Sequence, residues 1–321
     1  MFSCYVKLLL KKRKNCVIIT IMGVFARPIA IGYPVTINRN FKKSYKTLHH
    51  SLNNAGDAFA KEGTFDRHRH QEEREMFQKI AELWDVDIRE CWGYVTSGGT
   101  EGNLEGLWFA REKYPDGILY YSEQSHYSIK KIANILRMDS MVVPSDERGS
   151  IDINALKDMI DLEKPVILLA NIGSTFLGAV DDIEKIKSSL NTEDLYIHGD
   201  AAFFGFIMPY IRDGFDDYKF LDSISVSCHK WPGVPFPSGV FMSKKDLPNY
   251  VERYEEIIGQ RDVTISGSRS GHAAFFMNEF FETIDLKREV EECLDMSEYI
   301  FRRLSEAVPQ SKPWKNENIP I

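Results

Sequence analysis

Lys230 and Asp200 are the residues through which this chain could do chemistry. Lys230 closes the run Ser225-Val-Ser-Cys-His-Lys230, and Asp200 lies thirty residues before it in His198-Gly-Asp-Ala-Ala202. A lysine just past one β-like run can condense with an aldehyde. A carboxylate at the end of an earlier run can hold a proton on a heteroaromatic nitrogen. The pair suits pyridoxal phosphate, held by Lys230 as an imine, with Asp200 keeping the ring nitrogen protonated so that the ring draws electrons from the α-carbon of an amino acid. Each residue alone has a plainer reading. The lysine could be a solvated residue past a strand end, and the aspartate could be paired with Arg212.

Three further features favour the cofactor. Ser97-Gly-Gly-Thr100 opens a helix from Glu101. Its glycines let backbone N–H groups approach a phosphate at a helix N-terminus, although an ordinary turn with Thr100 as N-cap fits equally well. It is neither G-x-G-x-x-G nor a P-loop. His126, in Ser-Glu-Gln-Ser-His, could stack on a planar ring and reach the reacting carbon as an acid, against the commoner reading of a lone surface or core histidine. Ala202 lies on the same side of an extended chain as Asp200, so its methyl could floor the ring opposite His126, or could simply pack.

These residues need a scaffold, and the chain's periodicity supplies one. Helical spacing of Met76, Ile80, Leu83 and Trp84 is followed by helices over Glu101–Tyr114, Ile129–Leu136, Ala155–Leu162 (capped by Asp152 or Asn154) and Ile183–Leu190. Between them run strands Ile118–Tyr121, Met141–Val143, Val166–Ala170, Leu195–His198 and Ile224–Ser227. Alternation of this kind predicts an α/β fold with a mostly parallel sheet covered on both faces, and ligands of such sheets bind at the carboxyl ends of the strands. Ser97, His126, Asn171, Asp200 and Lys230 all fall there. Leu286–Ala307 reads as one long helix.

Bulk composition narrows the field. With 321 residues, 43% of them hydrophobic, the chain can bury one large α/β domain with a small partner. A net charge of −7 gives no basic face for nucleic acid. Five scattered cysteines with no C-x-x-C pair, and no N-x-[ST] sequon, point to a reducing, cytoplasmic setting without a metal knuckle or disulfide framework. Lys11-Lys-Arg-Lys14 followed by the apolar run Cys16–Ala26 has the layout of a signal peptide, yet such runs also occur as buried strands. The run is too short to span a bilayer, so no membrane association is expected.

The set as a whole resembles a family. Thr96-Ser-Gly-Gly-Thr-Glu-Gly-Asn103, Ser125-His-Tyr-Ser128, Asn171-Ile-Gly-Ser-Thr175, Gly178-Ala-Val-Asp-Asp182, the Asp200 and Lys230 motifs, and Thr264-Ile-Ser-Gly-Ser-Arg-Ser-Gly-His272 occur in the order of the group II pyridoxal-phosphate decarboxylases. Ile31-Gly-Tyr-Pro34 and Ser51–Asp57 are similar to the branch of bacterial histidine decarboxylases and plant serine decarboxylases. The resemblance covers about Ile31 to Trp314.

It implies the fold type I, aspartate-aminotransferase-like architecture with a seven-stranded-type sheet, and a homodimer with shared active sites, Thr264–His272 approaching the neighbouring subunit's site. It implies Lys230 as the imine lysine, Asp200 as the pyridinium partner and His126 as the ring-stacking and substrate residue. Ser97, Gly98, Gly99 and Thr100, with His229 and Ser227, become phosphate ligands, and Asn171 and Thr175 lie near the cofactor. Tyr33 and the Ser51–Asp57 segment are candidates for substrate side-chain contacts.

The domain reading is an atypical extension (1–30), an N-terminal arm (31–65), a cofactor-binding large domain (66–285) and the start of a small C-terminal domain (286–321), which in the family continues past Trp314. The proline-rich run Trp231–Pro237 departs from the family's loop after the lysine. Three functions follow as expectations: decarboxylation of a small polar L-amino acid, histidine before serine; another reaction on the same fold, such as transamination or aldol cleavage; or a truncated, non-catalytic relative that only dimerises.

Overall fold

The computed structural model describes residues 7–13, 16–22, 28–30, 36, 39–60, 68–211, 217–251, 254–311, 313, 315 and 316. Tyr33, Arg212 and Trp314 lie outside the described residues. The chain divides into a small unit, Met1–Val35, and a large one, Thr36–Ile321.

In the small unit β1 (Lys7–Arg13), β2 (Cys16–Met22) and β3 (Pro28–Ala30) form an antiparallel sheet in that order. Residues 11–13 of the basic stretch and Cys16–Met22 of the apolar run, which belong to the signal-peptide layout, are paired strands here, Arg13 opposite Cys16.

The large unit alternates as its periodicity requires. α1 (His70–Leu83) leads to β4 (Cys91–Thr96), α2 (Gly99–Lys113), β5 (Ile118–Ser122), α3 (Ser128–Leu136) and β6 (Ser140–Val143). Then come α4 (Ile153–Met159), β7 (Val166–Asn171), α5 (Ile183–Ser189), β8 (Leu195–Asp200), α6 (Met208–Ile211), β9 (Ser223–Ser227) and β10 (Gly239–Lys244). A two-stranded ribbon, β11 (Tyr254–Glu255) and β12 (Gln260–Arg261), precedes α7 (His272–Thr283) and α8 (Leu286–Ala307).

The main sheet has seven strands in the order β4-β10-β9-β8-β7-β5-β6, and only β10 runs against the others. Strand period sorts its side chains between two cores. Val166, Leu168 and Ala170 of β7 enter one apolar cluster, with α1 and α7, while Ile167 and Leu169 enter the other, with α2 and α3. Both faces are covered, so β5 and β7 read as continuous buried runs rather than alternating ones. Each buried Val, Leu or Ile side chain contributes about 1.5–3 kcal/mol by leaving water.

Local signals set the boundaries. The Asp152 carboxylate, rather than Asn154, caps α4 by accepting from the N–H groups of Asn154 (2.9 Å) and Ala155 (3.1 Å). Asp182 and Asp285 cap α5 and α8 in the same way. Helix α2 begins at Gly99, two residues before the sequence places it, because Gly98 at φ 147° turns the chain out of β4. Thr100 is therefore inside the first turn and is not the cap.

Candidate active site

The carboxyl ends of the parallel strands bring the chemically active residues together. Asp200 is the last residue of β8, and its neighbour across the ladder is Asn171, the last residue of β7. Lys230 follows β9, His126 follows β5, and Ser97 to Thr100 join β4 to α2. Asp200 is buried, at 7% exposure. Its Oδ2 accepts from Asn103 Nδ2 (2.8 Å) and its Oδ1 from the Ala202 N–H (3.2 Å). Among the described residues no lysine or arginine lies within ion-pair distance of it.

Lys230 is half-buried, and that desolvation lowers its pKa, with Asp200 opposing the shift. A lowered pKa frees the amine to act as a nucleophile. Burial likewise lowers the pKa of His126, Lys230 and Lys131 adding to the effect and Asp200 opposing it. The three groups therefore feel one another's charge. The Ser128 N–H donates to His126 Nδ1 (3.3 Å), so the neutral ring carries its proton on Nε2.

The α2 N-terminus is built by close packing. Gly99, Gly102 and Gly106 share one face of α2, and Ser227, Ser225 and Ser223 share one face of β9. A methyl added at Gly99 would meet Ser227 Oγ (2.9 Å) and the Ala202 methyl (3.1 Å). At Gly102 it would collide with Ser225, and at Gly106 with His198 and Ser223. At Gly98 it would stand 3.3 Å from His229 Cε1, which places the His229 ring beside the helix start. The His229 ring is itself held against the backbone of Ser238.

The remaining candidates fall as follows. Ser97 and Thr100 are exposed, Ser227 is buried, and Thr175 is exposed in the turn after β7. The Ser97 N–H donates to Glu101 Oε2 (2.8 Å), which leaves its hydroxyl for a ligand. Glu101 Oε1 accepts from Ser266 Oγ (2.9 Å), and Glu105 Oε2 from the Ile265 N–H (3.1 Å) and Tyr94 OH (2.9 Å). The 264–266 segment is thus fastened to the helix that carries the Gly-rich turn. Ser51–Asp57 packs against the neighbouring stretch, Asn54 N–H donating to the Arg269 carbonyl (2.9 Å) and Arg261 pairing with Asp57 (2.7 Å).

The proline-rich loop after Lys230 is also fastened. The Thr36 N–H donates to the Lys230 carbonyl (3.2 Å) and Thr36 Oγ1 to the Trp231 carbonyl (2.7 Å). Arg39 donates to the carbonyls of Trp231 (3.2 Å) and Pro232 (3.1 Å) and forks onto Glu289 of α8 (2.5 and 2.6 Å). Cys228, beside the lysine, is fully buried, and burial raises its thiol pKa, so it is not a nucleophile here.

Residues 73–311 match the pyridoxal-dependent decarboxylase conserved domain. The chain belongs to the pyridoxal-dependent decarboxylases. It is 38% identical over 301 residues to a histidine decarboxylase of Vibrio campbellii (strain ATCC BAA-1116), covering 90% of this chain and 77% of that one. It is 37% identical over 291 residues to serine decarboxylase 1 of Oryza sativa subsp. japonica, covering 86% of this chain and 60% of that one. L-methionine decarboxylase from Streptomyces sp.590 has the same fold, with a TM-score of 0.80 at 22% sequence identity, covering 90% of this chain and 80% of that one. The fold is that of the type I pyridoxal-phosphate enzymes, and the reaction class is that of an amino-acid decarboxylase, a carboxy-lyase that uses pyridoxal phosphate.

The residues of this decarboxylase fit that cofactor. A buried carboxylate with no cation within ion-pair distance among the described residues matches a pyridinium. A half-buried lysine of lowered pKa matches an aldehyde. Gly98, at φ 147°, and Gly99, packed too closely on Ser227 and Ala202 for a Cβ, bring bare backbone to a helix N-terminus suited to a phosphate. Motif reading of the sequence gave no role to Asn103, which donates to Asp200, or to His198, which contacts Asn103. The signal was present as glycines at 99, 102 and 106 flanking Asn103, opposite serines at 223, 225 and 227.

Proposed function

We propose that this decarboxylase releases CO2 from L-histidine and yields histamine. The observation that carries the reading is the meeting, at the carboxyl edge of the sheet, of the Lys230 amine, the His126 ring and the Asp200 carboxylate, which no described cation pairs. Lys230 would hold the cofactor through its side-chain amine. Asp200 would hold the proton of the ring nitrogen, and His126 and Ala202 would line the site of the ring. Ser97, Gly98, Gly99, Thr100, Ser227 and His229 hold the phosphate, with Asn171 and Thr175 nearby. Bound pyridoxal phosphate supplies the sink for the electron pair left when the Cα–carboxylate bond breaks. The Lys230 amine, less basic than a solvated lysine, or His126 through Nε2–H, would return a proton to Cα.

Histidine comes first because relatives named histidine decarboxylase occur at 38% identity in both Vibrio campbellii and Morganella morganii, and the Trp92–Val95 and Thr264–Arg269 stretches resemble those enzymes. Serine, giving ethanolamine, is the second reading, supported by the rice relative at 37%. Trapping labelled CO2 from parallel incubations with the two amino acids separates them. Release from histidine is expected; release from serine alone overturns the substrate, and release from neither overturns the activity.

A homodimer is part of the proposal. Tyr127 (74% exposed) and Phe176 (73%), in the turns after β5 and β7, put apolar surface beside the site, and sedimentation at micromolar concentration tests it. Among the described residues no helix is long and apolar enough to cross a membrane. A cytoplasmic location is also part of the proposal, supported by the scattered cysteines of the sequence, and cell fractionation checks it.

A further inference from the structure

We propose that Asn103 and His198 are positioning residues for Asp200, acting through a one-way chain of donors that runs from Tyr196 through Ser223, His198 and Asn103 to the Asp200 carboxylate. The proposal rests on the cofactor reading above.

The chain is continuous in space and discontinuous in sequence. Tyr196 OH lies 2.8 Å from Ser223 Oγ, and Ser223 Oγ lies 2.7 Å from His198 Nδ1. His198 Nε2 lies 3.0 Å from Asn103 Oδ1, and Asn103 Nδ2 lies 2.8 Å from Asp200 Oδ2. Tyr196 and His198 are fully buried, and Asn103 and Ser223 are 2% exposed, so water does not substitute for any of these partners.

Donor direction follows from the carboxylate outward. A carboxylate only accepts, so the Asn103 amide turns its Nδ2 toward Asp200 and its Oδ1 toward His198. An oxygen at that position needs a donor, so His198 carries its proton on Nε2. Burial lowers the His198 pKa to about 3, which keeps the ring singly protonated at neutral pH. Nδ1 must then accept, Ser223 must donate to it, and the Tyr196 hydroxyl donates to Ser223. Each group has one consistent role, and a flip of the Asn103 amide would set two acceptors against each other.

The fold is shaped around this chain. Gly106 has no side chain where His198 and Ser223 stand, because any Cβ there would collide with both. His198 and Asp200 share one face of β8, two residues apart, so Asn103 of α2 can bridge them. The effect is to fix Asp200 Oδ2 from the protein side with a neutral donor, while Ala202 N–H holds Oδ1. The carboxylate is oriented without being neutralised, as a group must be if it is to meet a ring nitrogen of the cofactor.

The test uses the holoenzyme and four variants, Asn103→Leu, His198→Phe, His198→Gln and Ser223→Ala, with thermal melts of each apo chain as the check on folding. Two readouts do not depend on turnover: the dissociation constant for pyridoxal phosphate from quenching of protein fluorescence, and the pH midpoint of the absorbance of the Lys230-bound cofactor. Asn103→Leu and His198→Phe should weaken cofactor binding roughly tenfold or more, as loss of a hydrogen bond to a charged group does, and should shift the absorbance midpoint. Gln at 198 restores a donor toward Asn103 and should recover most of both; Ser223→Ala should fall between. Unchanged affinity and midpoint in Asn103→Leu overturn the relay, as does a His198→Gln variant no better than His198→Phe. If the larger substitutions fail to fold, Ser223→Ala decides alone, since a midpoint identical to the unmodified protein's overturns the chain. A wild-type protein that does not bind pyridoxal phosphate overturns the cofactor reading instead, which keeps the two failures apart.

Discussion

Glu73 of α1 and Asp200 of β8 are both carboxylates taken out of water, the first fully buried and the second 7% exposed. Glu73 receives Arg269 through Nε (3.2 Å) and Nη2 (3.3 Å), Asn54 Nδ2 (2.6 Å) and the Val95 N–H (2.8 Å). Its charge is neutralised from within, and the pair ties α1, β4 and the segments around residues 54 and 269 into one block. Among the described residues Asp200 receives two neutral donors and no cation. The same side-chain chemistry thus serves as a clamp in one place and, in the proposed function, as a cofactor-binding group in the other. The difference is legible only from who else is buried with it, because a buried charge is tolerated when something pairs it.

The largest expected effect is acid, which attacks both regions together. Burial lowers the pKa of His198 to about 3, and burial, reinforced by His68 and Arg269, lowers that of His70 to about 3. Both side chains titrate near 6.5 when unfolded. Between those values the unfolded chain binds protons that the folded chain refuses, so stability is intact above about pH 6.5 and falls as pH drops toward 3. Each histidine should remove on the order of 4 kcal/mol across that window. Urea midpoints measured at intervals from pH 7 to pH 4 should fall steadily, and His198→Gln and His70→Gln should each flatten the slope. A pH-independent midpoint would contradict the buried, neutral state of both rings.

Next come the two carboxylates themselves, and the expected outcomes are mirror images. Glu73→Ala strands a guanidinium that is 2% exposed and should cost about 3–5 kcal/mol of stability, read from denaturant unfolding. Asp200→Asn leaves no charge stranded, so the unfolding midpoint should hardly move. Decarboxylation should fall by at least ~100-fold, the scale seen when a group that stabilises developing charge is lost. Should Asp200→Asn unfold the protein while Glu73→Ala spares it, the assignment of clamp and binding group is reversed.

How much of this could be read from residues alone differs between the two regions. The Asp200 side was legible because its residues lie within a few positions of strand ends, and strand ends are where α/β sheets bind ligands. Lys230, His126 and Asp200 each carry their own chemistry in their residue type, and the α8 span Leu286–Ala307 follows from helical period alone. The Glu73 side was not legible. Glu73 and Arg269 are 196 positions apart, and an ion pair across that distance leaves no local periodicity. Asn103 and His198, 95 positions apart, escaped for the same reason. Strand β10 was missed because Val240, Phe241 and Met242 form a short apolar run whose type periodicity cannot decide, and because an antiparallel member is not announced by the βα alternation around it. Helix α7, apolar on most sides, shows no amphipathic stripe, since it packs between α1 and the segment at Ser44–His49.

Arg39 and Glu289 provide the smallest effect and the calibration between the extremes. Their side chains are 10% and 24% exposed, so the pair is neither a sealed clamp nor a solvated ornament. Arg39→Met keeps most of the volume but removes the fork to Glu289 and the donors to the carbonyls of Trp231 and Pro232. A loss of about 1 kcal/mol is expected for a partly screened pair. The sharper readout is local. The loop after Lys230 is closed by Cys228 N–H to the Ser238 carbonyl (2.9 Å) and Val234 N–H to the Cys228 carbonyl (3.0 Å). Amide exchange at Cys228 and Val234 should accelerate in Arg39→Met, while exchange at Val95, whose N–H is held by Glu73, should stay slow. Faster exchange at Val95 as well would mean that the lysine loop and the Glu73 clamp open as one cooperative unit, and that the protein does not separate the binding carboxylate from the structural one.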